Sequence, residues 1–137
     1  EKYSTEKAYI FFGLIPRYKE LYKYLQESGF ILIYKEVIYD KDGKPKGNCD
    51  ADLVLQATCD TYEKKYDEAI IISSDGDYSS LVNFLKERSK IKVILSPHKQ
   101  DKCSILLKRT GVKISYINDQ RLILGGKRKS PQQRRTL

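Results

Sequence analysis

The chain has 137 residues, a length that fits one globular domain of ordinary size, and its net charge is +8. Its longest apolar run, near residues 9–15, is far shorter than the roughly 20 residues of a membrane-spanning helix, so we expect no membrane protein. The three cysteines form no CxxC pair, which argues against a disulfide framework and a zinc ribbon. We therefore expect a soluble, cytoplasmic protein with reduced thiols.

Five runs rich in Ile, Val, Tyr or Phe predict β-strands, at residues 8–12, 30–38, 69–73, 91–95 and 112–117. Apolar residues at helical spacing predict helices between them, over residues 18–25, 50–57, 78–85 and 104–109. Gly29 is placed to end the first helix, Asp42-Gly43 marks a turn, and Pro97 begins a loop. Strands that alternate with helices predict an α/β three-layer sandwich, with a mainly parallel sheet and helices on both faces.

The charge pattern divides the chain near its end. Residues 1–124 have the composition of a folded domain, whereas residues 125–137 open with Gly-Gly and carry five lysines and arginines without an acid. We expect this basic tail to be disordered, and it is either an arm that seeks polyanions or a solubilising end. Because the chain contains no methionine, we also expect it to begin inside a longer protein or to be processed.

The most informative stretch is residues 70–78, where three isoleucines lead into Ser-Ser-Asp-Gly-Asp-Tyr. Parallel sheets bind ligands beyond the carboxyl ends of their strands, so Asp75 and Asp77 are placed for chemistry. A divalent cation with oxygen ligands would offset their repulsion, and such ions commonly act on phosphate esters. Asp50 heads the apolar stripe of the second helix, where its charge needs a partner. The alternative is that Asp50 caps this helix and that the other two acids form a turn.

Three segments, at residues 46–55, 71–78 and 102–108, together resemble the NYN domain family of the PIN-like nuclease superfamily. The resemblance covers about residues 7–124. It implies a PIN-like version of the predicted sandwich, and cleavage of RNA by acidic residues that hold Mg²⁺ or Mn²⁺. Asp50 matches the acid that follows the family's Lys-Gly, while Asp75 and Asp77 match the two acids of its Ser-Gly-Asp-x-Asp-Phe motif.

The chain departs from the family pattern at three places. Ser74 stands where glycine is usual and adds a side chain beside the expected metal site, and Tyr78 replaces phenylalanine. Family members begin with a central strand that carries an Asp, and nothing before Tyr9 supplies it. We expect this strand either upstream of the sequence or lost.

An RNA substrate also needs positive charge and hydrogen-bond donors near the acids. We expect contacts to the RNA backbone from Lys46, Lys99, Lys102 and Ser104. An exposed tyrosine such as Tyr34, Tyr39 or Tyr62 can stack on an unpaired base. His98, the only histidine, is expected to be a loop residue, since the nuclease scheme does not require a general base.

The first hypothesis is a metal-dependent endoribonuclease that prefers single-stranded RNA, with a protein partner or a homodimer possible and no membrane partner. The second is a catalytically degenerate PIN-like module that binds RNA or a protein. A third is a nucleotide-sugar transferase, because Asp75-Gly76-Asp77 also has the form Asp-x-Asp. A Cys₃His zinc site that includes His98 is the remaining alternative, although its spacings are irregular.

Overall fold

The computed structural model describes residues 3–117, which divide into two compact units with the boundary between Ala57 and Thr58. Helices and mainly parallel strands confirm the predicted α/β class. The single domain over residues 1–124 stays a prediction, and the tail at 125–137 lies outside the described residues. No helix within residues 3–117 is long and apolar enough to cross a membrane.

The first unit is built on two parallel strands joined by a helix: β1 (Tyr9–Leu14), α1 (Lys19–Glu27) and β2 (Ile31–Glu36). The ring of Phe12 in β1 stacks on Tyr22 of α1, with 4.5 Å between the centroids. The helix ends where the sequence predicts, because Gly29 has a φ of +96°, which L side chains rarely adopt.

The turn predicted at Asp42-Gly43 joins β3 (Ile38–Tyr39) to β4 (Pro45–Lys46) in an antiparallel hairpin. Asp40 Oδ1 accepts a hydrogen bond of 2.9 Å from the Asp42 N–H, which fixes the turn locally. The hairpin shortens the strand that the sequence predicts over residues 30–38. The chain breaks into β2 and β3 at this point rather than continuing as one strand.

Val37 lies at that break and is enclosed by two glycines. A Cβ atom placed on Gly13 or Gly47 would lie 2.7 or 2.8 Å from Val37 Cγ2, which is closer than real contacts allow. The glycine of the Lys46-Gly47 pair is therefore required by close packing. This contact fixes the segment that leads into the second helix.

The second helix, α2 (Asp50–Tyr62), begins in the first unit and ends in the second. The second unit continues with β5 (Ala69–Ile72), α3 (Ser79–Glu87), β6 (Ile91–Ser96), α4 (Ile105–Arg109) and β7 (Ile114–Tyr116). Its three strands are parallel and lie in the order β5-β6-β7, so β5 is an edge strand of this sheet.

The core lies in the second unit. Every fully buried apolar residue among the described ones falls between Ile71 and Leu107, and none of residues 3–57 is fully buried. Val82 of α3, Ile94 of β6 and Leu107 of α4 form the centre. The acidic segment after β5 is thus attached to the best-packed part of the chain.

Candidate metal centre

The two aspartates after β5 are held in a defined turn. Asp75 caps a short 3₁₀ helix (Gly76–Tyr78), and its Oδ1 accepts a hydrogen bond of 2.9 Å from the Asp77 N–H. The Asp75 N–H in turn donates to Ser73 Oγ at 3.0 Å. Both carboxylates are exposed, so the turn presents two negative charges to solvent beyond the end of a strand. Turn formation and metal binding are therefore compatible roles for these acids.

Gly76 allows this turn to approach the start of α4. A Cβ on Gly76 would overlap Ser104 Oγ and would lie 3.1 Å from Leu106 Cδ1. The Ser104 N–H donates to the Ser74 carbonyl at 3.1 Å, which joins the two segments through the backbone. Glycine is thus needed between the two acids because there is no room for a side chain.

Tyr78 anchors the far side of the turn. It is buried at the point where the 3₁₀ helix runs into α3, beside the buried Leu81 and Val82. The phenylalanine that the family pattern has here is therefore replaced by another buried aromatic residue. The acids lie on an exposed turn whose last residue is fixed in the core.

Asp50 is the first residue of α2, as the sequence predicts. Its N–H donates to Asn48 Oδ1 at 2.7 Å, and its side chain is half-buried. Two acids, Asp50 and Asp52, occupy the first turn, where the helix dipole favours negative charge. Helix capping and the dipole explain why an acid is tolerated here.

The three predicted ligands are divided between the two units: Asp50 lies in the first, and Asp75 and Asp77 lie in the second. Each of the three offers a carboxylate oxygen, which is the kind of ligand that a hard divalent cation takes. We call these three residues the acidic cluster.

The donor set of the acidic cluster fits a hard divalent cation. Two oxygens bound to one Mg²⁺ are at most about 4.2 Å apart, because each bond measures about 2.1 Å. An ion shared by the three carboxylates would hold their oxygens within this distance of one another. Within the described residues, neither Asp75 nor Asp77 has an ion-pair partner, so their charge is not offset by a lysine or arginine. Two neighbouring carboxylates without that compensation favour a bound cation.

The predicted RNA-binding residues have different surroundings. Lys46 is exposed on β4, and Lys99 and Lys102 are exposed in the segment after β6. None of the three forms an ion pair within the described chain. Ser104 is half-buried and caps α4, because its Oγ accepts a hydrogen bond from the Leu106 N–H at 3.2 Å.

Two other basic side chains make contacts within the protein. Lys35 is ion-paired with Asp52 at 3.5 Å, and Lys108 Nζ donates to the Gln100 carbonyl at 2.7 Å. Of the exposed tyrosines, Tyr34 is 62% and Tyr39 is 61% exposed. Tyr62 is also exposed but packs against Phe84 and the guanidinium of Arg88.

The cysteines do not form the alternative zinc site. All three are free, and the described residues hold no cluster of them with His98. Cys103 is buried in the core, whereas Cys59 is exposed. Burial raises the pKa of the Cys49 thiol, and the nearby Asp52 carboxylate raises this pKa further.

His98 makes a contact that the sequence did not reveal. It lies in the loop after β6, as predicted, and its Nδ1 shares a hydrogen bond of 2.6 Å with Ser74 Oγ. The available signals were the unusual serine at position 74 and the single histidine of the chain. They are 24 residues apart, and no sequence spacing links them.

The fold is that of the PIN-like nuclease class. The family model of the NYN domain matches residues 6–115, so this chain belongs to the NYN domain family. Its nuclease-type character follows from this membership. The family assignment inferred from the three sequence segments is thereby confirmed.

A solved structure has a similar fold. The crystal structure of a protein of unknown function from Vibrio parahaemolyticus is 25% identical, with a TM-score of 0.67. The match covers 83% of this chain and 70% of that one. No curated protein shows significant sequence similarity to the chain.

Proposed function

We propose that this protein is a metal-dependent endoribonuclease that hydrolyses phosphodiester bonds in single-stranded RNA. The observation that carries the proposal is the pair of exposed carboxylates, Asp75 and Asp77, on the turn after β5 in a chain of a nuclease family. Asp50, Asp75 and Asp77 would together hold Mg²⁺ or Mn²⁺. When bound, the cation would supply Lewis-acid stabilisation of the charge that develops on the phosphate during hydrolysis.

The three aspartates act as ligands and not as nucleophiles. Asp75 is oriented by its hydrogen bond to the Asp77 N–H, which leaves its second oxygen available for the ion. Asp77 follows at the first turn of the 3₁₀ helix, so the two carboxylates are positioned by the same local structure. This arrangement reduces the reorganisation that ion binding requires.

Substrate binding is assigned to Lys46, Lys99, Lys102 and Ser104. The three lysines supply positive charge for phosphates, which gives affinity without sequence preference and makes binding weaker at high salt. The Ser104 oxygen already accepts a bond from the backbone, but its hydroxyl hydrogen can donate to a phosphate oxygen. Reduced thiols fit a cytoplasmic location, which is part of the same proposal.

The test compares Asp75→Asn and Asp77→Asn with Asp67→Asn. Asp67 is an exposed acid in the same unit that lies outside the acidic cluster, so it controls for the loss of one negative charge. Cleavage of a single-stranded oligoribonucleotide should require Mn²⁺ or Mg²⁺ and be abolished by EDTA. The two cluster variants should lose about 100-fold or more in rate, since even outer-shell partners of a metal are worth about 10- to 100-fold.

Metal binding is measured separately, by electron paramagnetic resonance of Mn²⁺. The cluster variants should bind Mn²⁺ more weakly than the Asp67→Asn control. Equal cleavage by all three variants would refute the nuclease proposal. RNA binding without any turnover by the wild-type protein would instead support the non-catalytic module, which the side chain of Ser74 beside the acids favours.

A further inference from the structure

The loop after β6 holds an exposed histidine in one defined position. The His98 N–H donates to Ser96 Oγ at 3.3 Å, and Ser96 Oγ donates to the His98 carbonyl at 3.0 Å. Ser96 is completely buried at the end of β6. A buried hydroxyl therefore fixes the backbone of a residue whose side chain is in solvent.

The imidazole ring of His98 is held by a separate hydrogen bond. Its Nδ1 shares a hydrogen bond of 2.6 Å with Ser74 Oγ, and Ser74 directly precedes Asp75 of the acidic cluster. The Ser74 carbonyl accepts the Ser104 N–H, so the serine is held by its backbone as well. Backbone and side chain of His98 are thus both constrained beside the acidic turn.

A purely structural role does not explain this arrangement. An exposed hydrogen bond between two side chains contributes little to stability, because water competes for both partners. Nε2 lies on the opposite side of the ring from Nδ1 and makes no hydrogen bond within residues 3–117. The result is an oriented polar group with one unused nitrogen, which is typical of a binding residue.

The neighbouring charges indicate what this nitrogen meets. Lys99 follows His98 in the chain, and Lys102 lies on the same exposed segment, so an anion is favoured there. When the Ser74 hydroxyl donates to Nδ1, the neutral ring carries its proton on Nε2 and is a donor. Phosphate oxygens accept hydrogen bonds, and they are the groups that an RNA strand presents along its backbone.

We propose that His98 is a substrate-binding residue, whose Nε2 donates a hydrogen bond to a backbone phosphate of RNA beside the acidic cluster. Ser74 is then a positioning residue that sets the orientation of the ring. This inference rests on the proposed function for the identity of the substrate. It also gives the serine, which departs from the family's glycine, a specific role.

Two conservative variants separate binding from structure. Glutamine places its amide nitrogen near the position of Nε2, so His98→Gln preserves the phosphate contact. Asparagine places its amide nitrogen near the position of Nδ1, so His98→Asn preserves only the bond to Ser74. His98→Ala removes both, and Asn83→Ala, on the exposed face of α3, is the matched control. All proteins are used as the full chain.

The first readout is the Kd for a single-stranded oligoribonucleotide in EDTA, measured by fluorescence anisotropy. The second is KM and kcat for its cleavage with Mn²⁺. His98→Ala and His98→Asn should raise Kd and KM about 10-fold, as expected for loss of one hydrogen bond to a charged group. His98→Gln should raise Kd less than His98→Asn does, because it keeps the phosphate donor and loses only the bond to Ser74, and Asn83→Ala should stay within about 2-fold of wild type. The kcat should change little in all four, because the contact is made equally before and during reaction.

Ser74→Ala tests the positioning role. It should raise Kd by less than His98→Ala does, and the double variant should be no worse than His98→Ala alone, because the serine acts only through the ring. Additive effects would overturn that role. Wild-type affinity in His98→Ala, or in His98→Asn but not in His98→Gln, would overturn the phosphate contact.

The outcomes also separate this inference from the proposed function. RNA that is bound in a His98-dependent way but never cleaved would refute the nuclease and keep the phosphate contact. Cleavage that depends on Asp75 but not on His98 would refute the contact and keep the nuclease. RNA that is neither bound nor cleaved would refute both.

Discussion

Substitution of Gly76 by alanine tests whether the geometry of the acidic turn is set by close packing. The new Cβ would overlap Ser104 Oγ, and it would lie 3.1 Å from Leu106 Cδ1 and 3.2 Å from Ser104 Cβ. The approach to Ser104 Oγ is far closer than real contacts allow. Gly76→Ala must therefore move the acidic turn away from the start of α4, or rotate the Ser104 side chain out of its capping position.

The expected cost follows from these two responses. Overpacking by one methyl group typically costs about 1–3 kcal/mol. Loss of the Ser104 cap alone costs about 1 kcal/mol, and a five-residue helix has few other bonds to replace it. We expect Gly76→Ala to lower the free energy of unfolding by about 2 kcal/mol, and to weaken Mn²⁺ binding because Asp75 and Asp77 flank the displaced residue.

Urea denaturation followed by circular dichroism measures the first effect, and electron paramagnetic resonance of Mn²⁺ measures the second. The double variant Gly76→Ala with Ser104→Gly removes both serine atoms that the new Cβ would meet, so it should regain about 1 kcal/mol relative to the sum of the single changes. A Gly76→Ala protein with wild-type urea midpoint and wild-type Mn²⁺ affinity would show that this contact does not constrain the acidic cluster.

Two further predictions concern the second unit and the cysteines. Leu85→Ala removes a completely buried side chain and should lower the free energy of unfolding by about 2–5 kcal/mol, whereas Leu55→Ala, at an exposed position of α2, should change it by less than about 0.5 kcal/mol in the same urea titration. Iodoacetamide should modify Cys59 first, Cys49 more slowly and Cys103 only on unfolding, as followed by mass spectrometry. The raised pKa of Cys49 leaves less thiolate at a given pH, so its alkylation should accelerate at a higher pH than that of a cysteine in a short unstructured peptide; a pH profile equal to that of the peptide would contradict the effect of burial.

The sequence predicted most of the elements because their signals are local. The positive φ of Gly29 ends α1, and the residues around Asp42-Gly43 form the expected turn. The break between β2 and β3 was missed because it depends on Val37 packing against Gly13 and Gly47, which lie 24 and 10 residues away in the chain. A continuous apolar run contains no signal for such a contact.

The positions of the three acids on their elements were predictable for a different reason. Asp75 and Asp77 follow an apolar strand directly, and Asp50 heads a helix, so each acid occupies the end of an element that its own neighbours specify. The sequence could not show that Gly76 is required by Ser104 rather than by a left-handed backbone. Only the approach of α4 to the turn distinguishes these explanations.

The pairing of Ser74 with His98 shows how a departure from a family pattern can be read. Considered alone, a serine in place of glycine beside a metal site is an obstruction, because it reduces the space for a phosphate. When it is bonded to His98, the same hydroxyl orients the Nε2 donor toward that phosphate. The serine then reduces the space for the phosphate but adds a hydrogen bond to it. The added hydrogen bond outweighs the lost space only if the imidazole ring is already held in position. The buried Ser96 meets this requirement because it fixes the backbone of His98. A glycine at position 74 should therefore leave His98 without its orienting bond and weaken RNA binding, although it restores the family residue.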